Sequence, residues 1–360
     1  MGPAMSPADK AVLRLAFGLA LATLVSYGRG WPVPFVPCVM AILVLARPGP
    51  PLPLAKGVVG ALLFAGLVAA GVLMVPLLEH YAATGVLLTA VLLFGVFFFG
   101  LRSASPLSTI LAIAAALIPV AGVAEQGLVT VLGVMLAAGV ALGTLVATLA
   151  HAFFPDPPAA TAATAQARGG LAREAAAWIA ARAVLIVMPV FVLALTDPSF
   201  YLAAILKTVA LGQQAGENDA RSAGRELVGS TLAGALLAAV VWTGLSLRPN
   251  LWMLSLWLSA AALWTGRRLF GLRPSRYRPS FWSNALVTAL ILLGPAIEDS
   301  ASGKSVLEGA LMRTLLFVAI ALYATAMVWG LERWRRRRQA VLSAGEVSLE
   351  ELGPGEIRSE

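Results

Sequence analysis

The chain has one cysteine, two histidines and few charges, and each shortage removes a class of function. Cys38 stands alone in an apolar run, which excludes an internal disulfide and a cysteine-based metal site. His80 and His151 lie far apart in sequence, which argues against a histidine-based metal site. No GxxxxGK[ST] loop is present, so nucleotide hydrolysis by that route is excluded, and HExxH and GxSxG are absent as well. No helix carries an Asp-rich pair that would hold Mg²⁺. The chain therefore reads as a non-enzyme with no catalytic residue, no metal and no cofactor.

What the chain has instead is apolar length. Of its 360 residues 59% are hydrophobic and only 12% charged, with mean hydropathy +0.86. A soluble chain of this size could not hide that much apolar surface, so the protein reads as polytopic in a membrane. The net charge of +8 follows membrane topology rather than nucleic acid, as its distribution makes plain. Twelve apolar segments emerge, at about 11–28, 31–46, 57–78, 83–101, 105–123 and 127–154, then about 174–196, 198–212, 226–247, 250–269, 280–297 and 306–332. The first apolar stretch is followed by many like it, so it does not read as a signal peptide. The first two segments of each half are short and closely joined. They form either a tight hairpin or a partly re-entrant pair, and either returns the chain to the same side.

The sequence also repeats itself. Phe99-Gly100-Leu101-Arg102 returns as Phe270-Gly271-Leu272-Arg273, and Arg14 returns as Arg182. Trp31 to Ala46 answers Pro198 to Leu211, and the glycines at 57, 60 and 66 answer those at 229 and 234. With the N-terminus in the cytoplasm, only Arg29, Arg248 and Lys304 of the 26 Lys and Arg fall in outer loops. Arg182 and Arg313 lie inside apolar segments, and the rest fall on the inner side. The fold expected is thus all-α, with about 12 transmembrane helices as two parallel six-helix repeats, N-in and C-in. The repeats are 1–154 and 174–338, joined by a cytoplasmic linker at 155–173 and followed by a disordered cytoplasmic tail at 339–360.

Charge inside the bilayer is where function is sought, because it costs about 2.5–3.5 kcal/mol at the centre on an insertion scale. Lys207 lies ten residues beyond Asp197, about 15 Å deep at helical rise. It reads either as a pathway residue or as a lysine snorkelling toward the inner headgroups. Arg14 and Arg182, at matching places, read either as a cationic ring at a central pathway or as two topology anchors. Arg313 follows Glu308 by five residues, an imperfect intrahelical spacing, so it finds a carboxylate elsewhere or an anion. Asp197 in Thr196-Asp197-Pro198 is the acidic residue best placed for proton coupling, and its plain alternative is an Asx-Pro turn. His151 near an inner helix end reads as interfacial. Gly139 and Gly143 form a GxxxG that reads as helix packing. Pro32, Pro34 and Pro37 prevent a regular helix there, and the second half has no such density. The run from Arg333 to Arg338 reads as a topology anchor on anionic lipid, with a regulatory docking site as the alternative.

The Arg-led first segment, the joint Gly30-Trp31-Pro32 and the motifs Lys56-Gly57-Val58-Val59-Gly60 and Arg225-Glu226-Leu227-Val228-Gly229 resemble the fusaric acid resistance family, which includes the aromatic acid exporters. The nearest likeness is to its two-unit bacterial branch, which carries a domain-of-unknown-function label. The pattern is also distantly similar to the plant aluminium-activated malate transporters. It covers roughly residues 10–335 and rests on soft hydrophobic motifs. The resemblance implies gradient-driven efflux of small organic anions, chiefly aromatic carboxylates, across the bacterial inner membrane beside a periplasmic membrane-fusion protein. It implies that Arg14 and Arg182, with Lys207 and Arg313, line the pathway. The alternatives are a passive anion channel and a non-transporting assembly subunit. The larger exporters carry a sizeable cytoplasmic domain that has no counterpart here.

Overall fold

The computed structural model describes residues 5–47, 54–103, 108–156, 170–217 and 220–351. Among them are twelve helices and no strand. The first six are α1 (Pro7–Gly28), α2 (Phe35–Leu45), α3 (Leu54–His80), α4 (Ala82–Ser103), α5 (Ser108–Ala124) and α6 (Gln126–Phe153). The next six are α7 (Arg173–Thr196), α8 (Pro198–Glu217), α9 (Ala220–Leu247), α10 (Leu251–Leu269), α11 (Pro279–Ala301) and α12 (Val306–Glu351). Seven of them, α1, α4, α6, α7, α9, α11 and α12, are long and apolar enough to cross a membrane. The protein is therefore a multi-pass α-helical membrane protein.

Local chemistry sets the helix starts. Ser6 and Asp9 form a capping box ahead of Pro7: the Ser6 hydroxyl accepts from the Asp9 amide at 3.1 Å, and the Asp9 carboxylate accepts from the Ser6 amide at 3.1 Å. Asn250 caps α10 by accepting from the Met253 amide at 2.8 Å. The three prolines of the first half do not break a helix. They delay one: residues 31–34 turn, α2 begins at Phe35, and Pro37 sits in its first turn, where no amide partner is needed. At 11 residues α2 is about 16 Å long, well short of the hydrocarbon core.

Short helices are tolerated because they do not face lipid. α2, α5, α8 and α11 form the centre: α2 packs on α5 and α11, and α8 packs on the same two. Of α11's apolar stretch 83% is buried, against 22% for α4. Helices apolar on every face belong inside, and the other eight surround these four. α1 lies along α10, and α4 lies along α7. Glycine permits the closest approaches. A Cβ on Gly139 would stand 3.0 Å from the Pro37 Cα, and one on Gly143 would stand 3.2 Å from the Ala41 Cα, so the GxxxG of α6 seats α2.

Two stretches have a local form that the sequence pattern did not specify. α12 continues past the basic run to Glu351, and residues 352–360 of the tail lie outside the described residues. Ala, Leu and Glu are good helix formers, and adding residues to an existing helix is cheap. The repeated Phe-Gly-Leu-Arg takes two shapes. Residues 99–102 remain in α4, whereas 270–273 follow the end of α10, with Gly271 at φ +77°. The Gly100 side of α4 abuts Ser108, so the helix runs on, while Gly271 turns the chain out by the left-handed conformation common at helix ends. Most of the expected linker, 157–169, lies outside the described residues.

Candidate functional site

The central helices are largely apolar, and those of the second six share a set of linked polar side chains. Lys207, the tenth residue of α8, is wholly buried, and its Nζ donates to Thr288 Oγ1 of α11 at 2.7 Å. Thr288 donates its own proton to the Asn284 carbonyl at 2.6 Å, one turn back, which leaves its oxygen free to accept from the lysine. The Asn284 Nδ2 donates to Ser230 Oγ of α9 at 2.7 Å, and Ser230 in turn donates to the Leu227 carbonyl at 3.1 Å. One turn further along α9 lies Glu226, 4% exposed, whose Oε1 accepts from the Arg278 backbone amide at 3.3 Å. The hydrogen-bonded groups thus run from the middle of α8 to Ser230 of α9, with Glu226 one turn nearer the start of α11. Counted from the helix starts at Ser108 and Pro279, Asn284 and Thr288 correspond to Ile113 and Leu117 of α5. The first six helices carry no such set at these places.

Lys207 does not reach the headgroups, since no part of it is exposed. Among the described residues no carboxylate pairs with it. The arginines differ. Arg14 Nη1 meets Asp156 Oδ2 at 2.8 Å and donates to the Phe154 carbonyl at 3.1 Å. Arg182 Nη1 meets Glu332 Oε1 at 3.2 Å, and Trp178 Nε1 donates to the same oxygen at 3.4 Å. Each arginine thus ties the first helix of its six to the region ending the sixth. Arg313 Nη1 meets Asp299 Oδ2 at 2.7 Å, across the turn between α11 and α12 rather than along its own helix to Glu308. Asp197 is exposed, and its Oδ1 accepts from the Phe200 amide at 3.2 Å, which caps α8 as an Asx turn does. His151 Nδ1 lies 2.7 Å from the Ala147 carbonyl on its own helix. Cys38 Sγ lies 3.4 Å from the Pro34 carbonyl and 3.8 Å from Thr23 Oγ1.

Of the residues that sequence reasoning singled out, Lys207 alone joins the central set. Thr288, Asn284, Ser230 and Glu226 were missed. A signal existed: Asn284 stands inside an apolar segment, where an amide is retained only with a partner, and Glu226 stands in a motif read for its family likeness rather than its charge.

Arginine and tryptophan dress the end of the bundle where Glu226 lies. Arg268 sits 4.1 Å from the Trp264 ring centre and 4.9 Å from that of Trp282. On α12, Arg335 lies over Trp178 and Arg338 over Trp334, while the two indoles stack at 6.1 Å. Such pairs hold guanidinium groups at an interface. Among the described residues no three His, Cys, Asp or Glu gather to hold a metal ion.

A helical membrane bundle with a buried cation defines the class only broadly. Residues 11–150 match the model of a family described as protein of unknown function (DUF2955), a span that covers α1 to α6 except the ends and less than half of the chain. Neither a curated protein nor a solved structure matches the chain.

Proposed function

We propose that this protein is an efflux permease for small organic anions, aromatic carboxylates foremost, driven by an ion gradient across a bacterial inner membrane and working with a periplasmic membrane-fusion protein. One observation carries the reading: a fully buried lysine at the midpoint of α8 whose Nζ meets a hydroxyl and, among the described residues, no carboxylate. A basic nitrogen kept at that depth with no carboxylate beside it suits a transported anion, whose arrival favours the ammonium form. The resemblance to the aromatic acid exporters agrees with this, and so does the burial, which favours an occluded pump over an open channel. The pairing of Arg14, Arg182 and Arg313 with carboxylates also disfavours an uninterrupted basic pore. Those arginines line the route only where their ion pairs open.

The architecture in this reading is two parallel six-helix repeats, N-in and C-in. Helix neighbours support it. Within the first six, α1 meets α2 and α6, and α5 meets α3, α4 and α6. Within the second, α7 meets α8 and α12, and α11 meets α9, α10 and α12. Between the sixes, α1 with α10 answers α7 with α4, and α2 with α11 answers α8 with α5.

The test uses the purified full chain in liposomes and labelled phthalate, an aromatic carboxylate that stays charged at neutral pH. Wild type should accumulate phthalate against a proton gradient, and Lys207→Met should lose at least about tenfold of that rate at equal incorporation. Equal rates would remove Lys207 from the site. Accumulation that survives collapse of the proton gradient would sink proton coupling.

A further inference from the structure

α9 comes against α11 at Gly234. A Cβ there would stand 2.5 Å from the Thr288 Cβ, 2.6 Å from the Ala285 carbonyl oxygen and 2.9 Å from the Thr288 Cγ2. Any side chain at 234 would press on the backbone of α11, so glycine lets the two helices touch. At the matching place in α3, Gly66 meets nothing within 4 Å. The contact in the second six falls on the one residue whose hydroxyl Lys207 meets.

Thr288 is thereby held from three directions. Its methyl faces Gly234, its proton goes to the Asn284 carbonyl at 2.6 Å, and its oxygen accepts from Lys207 Nζ at 2.7 Å. A hydroxyl has a single proton, and this one is committed, so toward the lysine the oxygen can only accept. Among the described residues Lys207 has no other hydrogen-bond partner. A lysine stem is long and flexible, and without that acceptor its nitrogen has no fixed place. We propose that Thr288, seated by Gly234, is the positioning residue of the lysine site and fixes the Lys207 nitrogen where the exported anion meets it. This rests on the export reading given above. An ammonium at this place has three N–H bonds, of which Thr288 takes one and leaves two for a carboxylate. A nitrogen already in place binds more tightly than one that must first be ordered. Thr288 itself offers the anion no proton, so it acts only through the lysine.

The test measures KM and kcat for phthalate accumulation in liposomes that hold equal amounts of the full chain. Thr288→Val keeps the methyl that faces Gly234 and loses the acceptor. It should raise KM by about tenfold while kcat stays within about twofold, as the loss of one hydrogen bond used in binding requires. Thr288→Ser keeps the acceptor and should bring KM back to within about threefold of wild type. A packing role alone predicts the reverse, with Thr288→Val spared and Thr288→Ser, which lacks the methyl, poorly folded. Gly234→Ala displaces Thr288 and should raise KM too, whereas Gly66→Ala should not. A wild-type KM in Thr288→Val overturns the proposal. Solid-state NMR of the ¹⁵N-lysine-labelled chain in bilayers needs no transport. The Nζ signal that disappears in Lys207→Met should be rigid in wild type and Thr288→Ser, and mobile in Thr288→Val. A Lys207 nitrogen as mobile in wild type as that of the exposed Lys304 also overturns the proposal. If wild type moves no phthalate, the export reading fails, and the mobility of that signal alone decides whether Thr288 holds the lysine.

Discussion

Burying a lysine nitrogen among apolar helices costs more than one hydroxyl contact returns. Lys207 is therefore a residue held against stability, and its removal should stabilise. Lys207→Met keeps the volume and discards the polar group. It should raise the unfolding temperature in detergent by about 2 °C for each kcal/mol recovered, even as transport falls. A lower unfolding temperature would mean that the Thr288 contact holds the bundle together. Arg182 sits on the other side of this balance. It is 4% exposed in its ion pair, and its partner Glu332 also accepts from Trp178. Arg182→Met strands a half-buried carboxylate and should destabilise by about 2–3 kcal/mol. Adding Glu332→Leu should recover most of that loss, because replacing a whole buried pair costs far less than breaking it. Calorimetry of the two variants checks this, and a double variant no better than the single would show that the pair is not the unit.

Helices in this protein pack through small residues, and each close approach can be ranked. In lipid no hydrophobic force draws helices together, so contact distance decides. A side chain on Gly139 would press on Met40 and the Pro37 backbone, whereas one on Gly95 meets nothing within 4 Å. Gly139→Leu should therefore abolish most of the monodisperse protein recovered, and Gly95→Leu should leave yield unchanged; size-exclusion chromatography of both settles it. Helix number and order were legible in the chain, because an apolar run between charged turns has few other readings. Burial of α2, α5, α8 and α11 was not, since an apolar helix in lipid and one in a protein core share a composition. The linked set from Lys207 to Ser230 was half legible. The lysine announced itself by depth, but its partners Thr288, Asn284 and Ser230 lie on other helices, and no local spacing connects them. The partners of the arginines were illegible for the same reason: Asp156 and Glu332 pair with Arg14 and Arg182 over long stretches of chain.

At the scale of the whole molecule, the ends of the bundle carry opposite burdens. Several contacts place helix ends together. Leu171 N bonds to the Leu101 carbonyl at 3.1 Å, tying the start of α7 to the end of α4, and Lys10 Nζ bonds to the Pro155 carbonyl at 2.8 Å, tying α1 to the end of α6. Arg47 Nη2 reaches Thr109 Oγ1 at 3.3 Å, which sets the end of α2 beside the start of α5. These connect the ends that bear most of the cations, and in the proposed N-in, C-in arrangement that end faces the cytoplasm. The far end keeps Arg29, Arg248 and Lys304, all exposed. Cys38 is buried among apolar residues, so Cys38→Ala gives a background without thiols at little cost. Single cysteines in that background at Arg29 and Lys304 should react with an impermeant maleimide applied outside intact cells. Cysteines at Arg102 and Arg276, exposed at the other end, should react only after the membrane is opened. The four sites sample both sixes at both ends, so a parallel pair gives like behaviour at Arg29 and Lys304. An inverted pair would split them, one labelled outside and one protected, and that outcome would discard the two parallel repeats together with any pathway drawn between them.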